Sequence, residues 1–486
     1  MRWPLLLFSL TVPCVPPALA LPQQAPRFLA LQAPAEATPR PVGLPLFPGD
    51  LPWLQHDEEV QELSSRAAVT AEEWRRWLEE AAASLMPRVR LRGTETGLLA
   101  EGAPEDLTRL AQLSREVEDC LEARTLEGRA TLTLGDEILE VPLALRSGDL
   151  TSLSITDERE FVGTWNAEVA ADSAVAEPAI WRLRSGWSLH LAAAAAGRDG
   201  VRVHGRLERT LPGTLEPFDP DTPDLGALQR PRVERTLVEF AGYATAESPL
   251  RVEATGPAPV ALELRFTAPD ELPSPGGWTV VDAAALGLPL PWNESYDGPG
   301  WSASALAAML ASPLAEASVL WAGELLLVPP GADALAAQAK EFLSALRAPQ
   351  RPATAEVVSG DGRGGRIPLL HGVPGGLRQE VLTTQLVGYR TELATDAWIA
   401  EPTMIARRTG LALTLHASAT SLAGVGSQTH EQERGQVAAD ALAQIGALEW
   451  GTLRRRPFTL RQATGSEPWS LAARAPLPRL TVRQLP

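Results

Sequence analysis

The chain has 486 residues, is 45% hydrophobic and carries a formal net charge of −17. That acidic balance argues against nucleic acid or anionic lipid as a partner, because binding a polyanion relies on clustered Lys and Arg. Lys340 is the only lysine, so the basic residues are nearly all Arg, which reads as a codon bias and not as a binding surface.

The first twenty residues, "MRWPLLLFSLTVPCVPPALA", carry one positive charge at Arg2, an apolar run and the small-x-small ending Ala18-Leu19-Ala20. The run is too short to cross ~30 Å of hydrocarbon as a helix but suits a cleaved secretory signal. The expected product is exported, to the periplasm or cell envelope and with a possible outer-membrane association. No later stretch offers ~20 consecutive apolar residues, so no helical membrane span is expected. Residues 21–65 are rich in Pro and Gln without a sustained period and read as a tether.

Ordered structure is expected from "TAEEWRRWLEEAAASL", where Thr70 and Glu73 form a capping box and Trp74, Trp77, Leu78, Ala81 and Leu85 share a helical face. Pro87 stops that helix. "RVRLR" and "LLAE" read as short strands, Pro104-Glu105-Asp106 opens a second helix, and "GRATLTLG" is the next strand. The order α-β-β-α-β recurs with "SASALAAMLA", "ASVLW", "ELLLV", "DALAAQAKEFLSALR" and "TAEVV". Cys120, left unpaired once Cys14 departs with the signal, falls on the apolar pattern of the second helix and reads as a small buried residue.

Each such unit precedes a stretch with period-two alternation, such as "VRVHGRLERTL", the mark of antiparallel strands with one buried face. The stretches align with each other. Glu168 to Leu191 and Glu392 to Leu415 share ten identities in 24 positions at an offset of 224, where ordinary frequencies give roughly two. The expected fold class is therefore α+β, a tandem duplication of a small αββαβ domain followed by a β-rich, mostly antiparallel domain. The boundaries read as a signal at 1–20, a tether at 21–65, α/β copies at 66–127 and 300–352, β-rich copies at 128–256 and 353–480, and a linker at 257–299. Pro178 and Pro402 punctuate equivalent strand edges, and Gly186 and Gly410 supply a positive φ or a bulge before an "x-L-x-L" strand. These four are structural repeat positions.

The duplication also weighs the motifs that carry chemistry elsewhere. "GDGRGG", Gly360 to Gly365, matches a dinucleotide fingerprint literally, but Pro368 and Pro374 forbid the helix that must follow, and the first copy holds "GDEILE" there. The histidines His56, His190, His204, His371, His416 and His430 are not repeated in register and lack metal spacing. Asp219, Asp221 and Asp224 lack the Gly and terminal Glu of a calcium loop, and Glu79-Glu80 lie on a polar helix face. No G-x-S-x-G elbow is present. The reading is no enzyme, with no catalytic residues, no cofactor and no metal.

"GLLAEGAPEDLTRLAQLSREVE" and "GELLLVPPGADALAAQAKEFLSALRAP" resemble the ring-building N-domains of secretins, the subunits of type II and III secretion channels. "VGYRTELATDAWIAEPTMIARRTGLALTLHASAT" is similar to the secretin β-domain segment ending in a "G-x-x-L-x-V/L" strand. The resemblance spans most of residues 66–256 and 300–475. It implies a non-enzymatic envelope scaffold that binds protein, self or another envelope component, through its α/β units, in an oligomeric state the sequence leaves open. The alternative is a periplasmic or secreted carbohydrate-binding protein or hydrolase with a cleft between the copies, in which Trp165, Trp181, Trp187, Trp398 and Trp450 stack on sugars.

Overall fold

The computed structural model describes residues 27–32, 54–55, 78–79, 86–94, 97–122, 124–148, 150–170, 173–196, 200–218, 226–267, 272, 277–286, 288, 290–291, 320–322, 325–328, 331–347, 351–393, 398–437, 448–463, 467–473 and 477–485. It overturns the expected α+β class. Among the described residues strand makes up 71% and helix 10%, with two long α-helices and several antiparallel sheets, and these residues do not assemble as αββαβ units.

The reason lies in where the strands go. β1 (Arg27–Gln32), β3 (Arg90–Thr94) and β4 (Gly97–Gly102) make a three-stranded sheet in the order β1-β4-β3, separate from the short β2 (Leu54–Gln55). α1 (Pro104–Glu122) follows, with proline at its first position, Glu105 and Asp106 in the first turn, and Leu107, Leu110 and Leu113 as its buried stripe. The strand expected to complete that unit, β5 (Thr125–Leu134), leaves it and pairs with β6 (Glu137–Arg146) in a different, eight-stranded sheet. Of the helix expected before β3, only Leu78 and Glu79 lie within the described residues.

The chain then runs through β7 (Leu150–Ala170), β8 (Ser173–Ala195), β9 (Val201–Thr210), β10 (Thr214–Phe218), β11 (Leu228–Ala244), β12 (Leu250–Thr255) and β13 (Val260–Phe266). A second small sheet, β14-β16-β15, is built from β14 (Thr279–Asp282), β15 (Leu320–Ala322) and β16 (Leu325–Val328). α2 (Asp333–Arg347) follows it, with Leu335, Ala336, Ala339 and Leu343 buried. β17 (Pro352–Ser359), β18 (Gly364–Leu370), β19 (Pro374–Leu393), β20 (Trp398–Ala417), β21 (Ser421–Val437), β22 (Leu448–Ala463), β23 (Trp469–Leu471) and β24 (Leu480–Leu485) complete the chain. The two small sheets share one core, in which the α1 stripe, Leu98 and Ala100 meet Trp278, Val280, Leu325 and Leu327.

The bulk of the protein is two large sheets face to face. One has the order β23-β24-β17-β18-β12-β13-β5-β6; the other runs β7-β8-β9-β11-β19-β20-β21-β22, with β2 beside β8 and β10 beside β11. Alternation explains the pairing, since Val201, Val203 and Leu207 of β9 and Val238 and Phe240 of β11 point to a common core with Leu132, Leu262, Val357, Ile367 and Val482 of the facing sheet. Each such fully buried side chain contributes roughly 1.5–3 kcal/mol of transfer free energy.

The register repeats as well as the order. Thr156, Gly186, Thr210 and Arg235 are cross-strand neighbours on β7, β8, β9 and β11, and Glu380, Gly410, Thr429 and Arg455 are cross-strand neighbours on β19, β20, β21 and β22. Gly186 and Gly410 have φ of +124° and +139°, and a Cβ there would stand 2.2 Å from the Ile155 carbonyl oxygen and 2.0 Å from that of Gln379. Both mark a bend. β8 pairs with β9 only from Gly186 onward and β20 with β21 only from Gly410 onward, so the distal half of each long hairpin leaves the sheet at its glycine. Pro178 and Pro402 lie in those departed halves, opposite Trp165 and Tyr389, where the missing N–H faces no ladder.

Candidate functional site

Two features stand out on this frame. The first is a row of charged side chains on the face of the long-stranded sheet opposite the sandwich core. Because Leu189, Leu207 and Val238 turn inward, alternation sends His190, Arg206, Glu208, Arg235 and Glu239 outward, joined by Arg378 and Glu380 of β19. Arg235 holds Glu208 through one hydrogen bond of 2.9 Å and an ion-pair contact of 2.8 Å, Arg206 lies 3.6 Å from Glu208, and Arg378 lies 3.6 Å from Glu380. Arg206 is directly opposite Glu239, and Arg235 directly opposite Glu380. The departed half of the β7·β8 hairpin turns over this face, where Phe161 and Leu183 pack on Val233 and Leu382 and the Thr164 hydroxyl donates to the Pro402 carbonyl at 2.8 Å.

Electrostatics follow from that cover. Burial, aided by Arg206 and opposed by Glu208, lowers His190 to about 4, so it is neutral at physiological pH, with Nδ1 against the Ser152 hydroxyl. Burial alone would raise Glu208, but Arg235 and Arg206 together hold it below the ordinary carboxylate range. Burial raises Glu239, only partly countered by Arg206, Arg378 and Arg235. Three arginines thus face three glutamates, and the row is a self-compensating ladder. A hollow of about 290 Å³ adjoins it, lined by Glu239, Arg378, Thr414, Ser427 and Arg455 among others.

The second feature is the ends of the two sheets. At one end stand β7 and β6, at the other β22 and β23. Ser154 to Glu160 of β7 are all exposed, as are Thr452, Leu453, Arg455 and Pro457 of β22. Exposed apolar side chains sit among them, with Ile138 at 67% and Ile155 at 59% exposure. The core is thinly covered there too. Leu139 and Leu153 at one end and Trp469 and Leu471 at the other are only partly buried against it.

The positions singled out from sequence are scattered. "GDGRGG" is the tight turn between β17 and β18, followed by a strand. His190 and His204 are buried, and Arg202 donates from Nε to His204 Nε2 at 3.2 Å; His416 and His430 are exposed on β20 and β21, and His371 forms an isolated bridge. His56, Asp219, Asp221, Asp224 and Glu80 lie outside the described residues, as do the side chains of Cys120, Trp398 and Trp450. Among the described residues no group of three His, Cys, Asp or Glu has metal-binding geometry. Trp187 is buried in the sandwich core, and the half-buried Trp181 makes a T-shaped contact with Phe161 at 6.1 Å. Sequence reasoning missed the charged row, although its signal was there in the alternating opposite charges Arg206/Glu208 and Arg378/Glu380.

No family model, no curated protein and no solved structure matches this chain. No described helix is long and apolar enough to cross a membrane.

Proposed function

We propose that the protein is an exported, non-enzymatic scaffold of the cell envelope that assembles with copies of itself; the secretin resemblance implies assembly through αββαβ units, which the described residues do not form, and the edges of the large sheets take their place as the contact. The observation that supports this reading is how its own halves are joined. β11, the last long strand of the first half, pairs with β19, the first of the second; in the facing sheet β12 pairs with β18. The join is head to tail. A head-to-tail join uses two different surfaces and, among the described residues, leaves one of each unpaired at the outer ends, the condition for building rings or fibres. Open edges that long are aggregation hazards unless a partner covers them.

Light scattering on the purified mature chain, together with fractionation of native extract, tests the proposal. Assemblies of defined multiples of the chain mass, fractionating with the envelope, are the expected result. A single-chain mass at micromolar concentration with no envelope association retires it.

A further inference from the structure

We infer that a second copy of this chain docks on β22 through its β7, in the register of the internal β11·β19 junction, while its β6 adds to β23 in the other sheet. This rests on the self-assembly reading above and specifies its interface.

The internal junction serves as the template. It pairs Arg232 through Glu239 with Thr383 through Gly376. The repeated neighbours fix the correspondence, because Arg235 faces Thr210 as Arg455 faces Thr429, and Thr156 faces Gly186 as Glu380 faces Gly410. Carried to the outer ends, the template sets Thr452 through Thr459 of one chain against Arg159 through Ser152 of the next. Arg455 then stands opposite Thr156, and Arg454 opposite Asp157.

In this register Arg454 and Asp157 form a directly opposed pair of opposite charge. The β22 edge carries Arg454, Arg455 and Arg456; the facing stretch of β7 carries Asp157, Glu158, which already pairs with Arg184, and one arginine at 159. Opposite charges across antiparallel strands attract, whereas two like edges would repel, so pairing of β22 with a second β22 is disfavoured. The apolar side matches too. Inside the chain Val238 faces Leu377 within the sandwich core. Between chains the same place is taken by Phe458 and Leu153, which already lie on that core.

The facing sheet gives the same answer independently. Its internal join sets Glu253, Ala254 and Thr255 against Arg366, Gly365 and Gly364. The corresponding outer residues are Ser470, Leu471 and Ala472 against Glu140, Leu139 and Ile138. Leu471 meets Leu139, both half-buried on the shared core, and the exposed Ile138 gains a neighbour. Both sheets therefore extend in one direction with a single rigid placement of the second copy.

Disulfide trapping between separately made full-length chains tests this, in a background with Cys14 and Cys120 changed to Ser. Directly opposed strand residues lie within the Cα separation a disulfide accepts. Mixing Thr156→Cys chains with Arg455→Cys chains under mild oxidation is expected to give a two-chain species; Thr156→Cys with Thr452→Cys is expected to give little. Reversing one charge, Asp157→Arg or Arg454→Asp, should weaken self-association about fivefold, and the chain carrying both reversals should regain it. All these positions are at exposed or edge sites, and circular dichroism checks that each variant folds. Assemblies that form but trap equally well out of register, or that the double reversal does not restore, overturn this interface while leaving self-assembly intact. Chains that remain single overturn both.

Discussion

Replacing Asp282 with asparagine keeps the side chain's shape and removes its charge. Asp282 sits at the end of β14 and receives Arg124 at 3.3 Å, the Ser147 hydroxyl at 2.9 Å and the Ala284 amide at 2.8 Å. The Arg124 side chain is wholly buried and that of Asp282 is 10% exposed. Removing one member of a buried pair leaves the other charge in a poor solvent, which costs about 3–5 kcal/mol. Asparagine keeps one oxygen for the Ser147 or Ala284 donor, so the lower end, about 3 kcal/mol, is expected. With a urea dependence of at least about 3 kcal/mol per molar for a chain of this size, the unfolding midpoint should fall by up to about 1 M. Glu160→Gln is the control, because its pair with Arg182 leaves side chains 63% and 46% exposed and should be worth under about 1 kcal/mol. The combined change Arg124→Met with Asp282→Leu should recover part of the loss, since the stranded charge is gone while Ser147 and Ala284 still lack their acceptor. Equal midpoints for Asp282→Asn and Glu160→Gln would refute the claim that burial, and not the bare ion pair, sets the energy.

Protonation of His190 gives a pH signature. Its folded-state value near 4 lies below the ordinary 6.5, so the unfolded chain takes the proton first as pH falls. That contribution is complete above about pH 6.5, is lost progressively toward pH 4 and amounts to about 3 kcal/mol; His190→Asn should lack it, seen as a flatter difference in urea midpoint across that window. Gly410→Ala should destabilise by about 2 kcal/mol or more in thermal or urea unfolding, because the new Cβ meets the Gln379 carbonyl, whereas Gly372→Asn, at φ +80° with open space around it, should cost under about 1 kcal/mol. Phe240→Ala removes a fully buried ring that lies over Gly205 and should cost about 3–5 kcal/mol; a loss below 1 kcal/mol would show that the two large sheets do not share one rigid core.

How much of this was legible beforehand depends on the range of the signal. The strands "RVRLR", "LLAE", "ELLLV" and "TAEVV" and the helices at Pro104 and Asp333 are local patterns of alternation and capping, and elements form at those places. The matched glycines at 186 and 410 were visible as an offset, and their bend is a backbone requirement any sequence reader can name. The fold class was misread because β5 follows α1 by two residues and looks like the end of a small domain. Nothing local says that Thr131 will pair with Glu263 of a strand far downstream. For the same reason the charged row was legible only strand by strand. Arg206 and Glu239 advertise alternation, but only the β9·β11 register sets them side by side.

The β11·β19 ladder also bears on how the chain folds. While the protein is being made, β11 exists long before β19 does, and its edge is open throughout that interval. Any neighbouring chain that has already exposed a finished second half offers the same surface that its own will later provide, so exchange of halves between chains is the natural folding error. Covalent connection is what decides the competition, because it keeps the proper partner at an effective concentration near millimolar. Lengthening the segment between β13 and β17 should therefore raise the yield of interlocked chains before it changes the stability of the folded one.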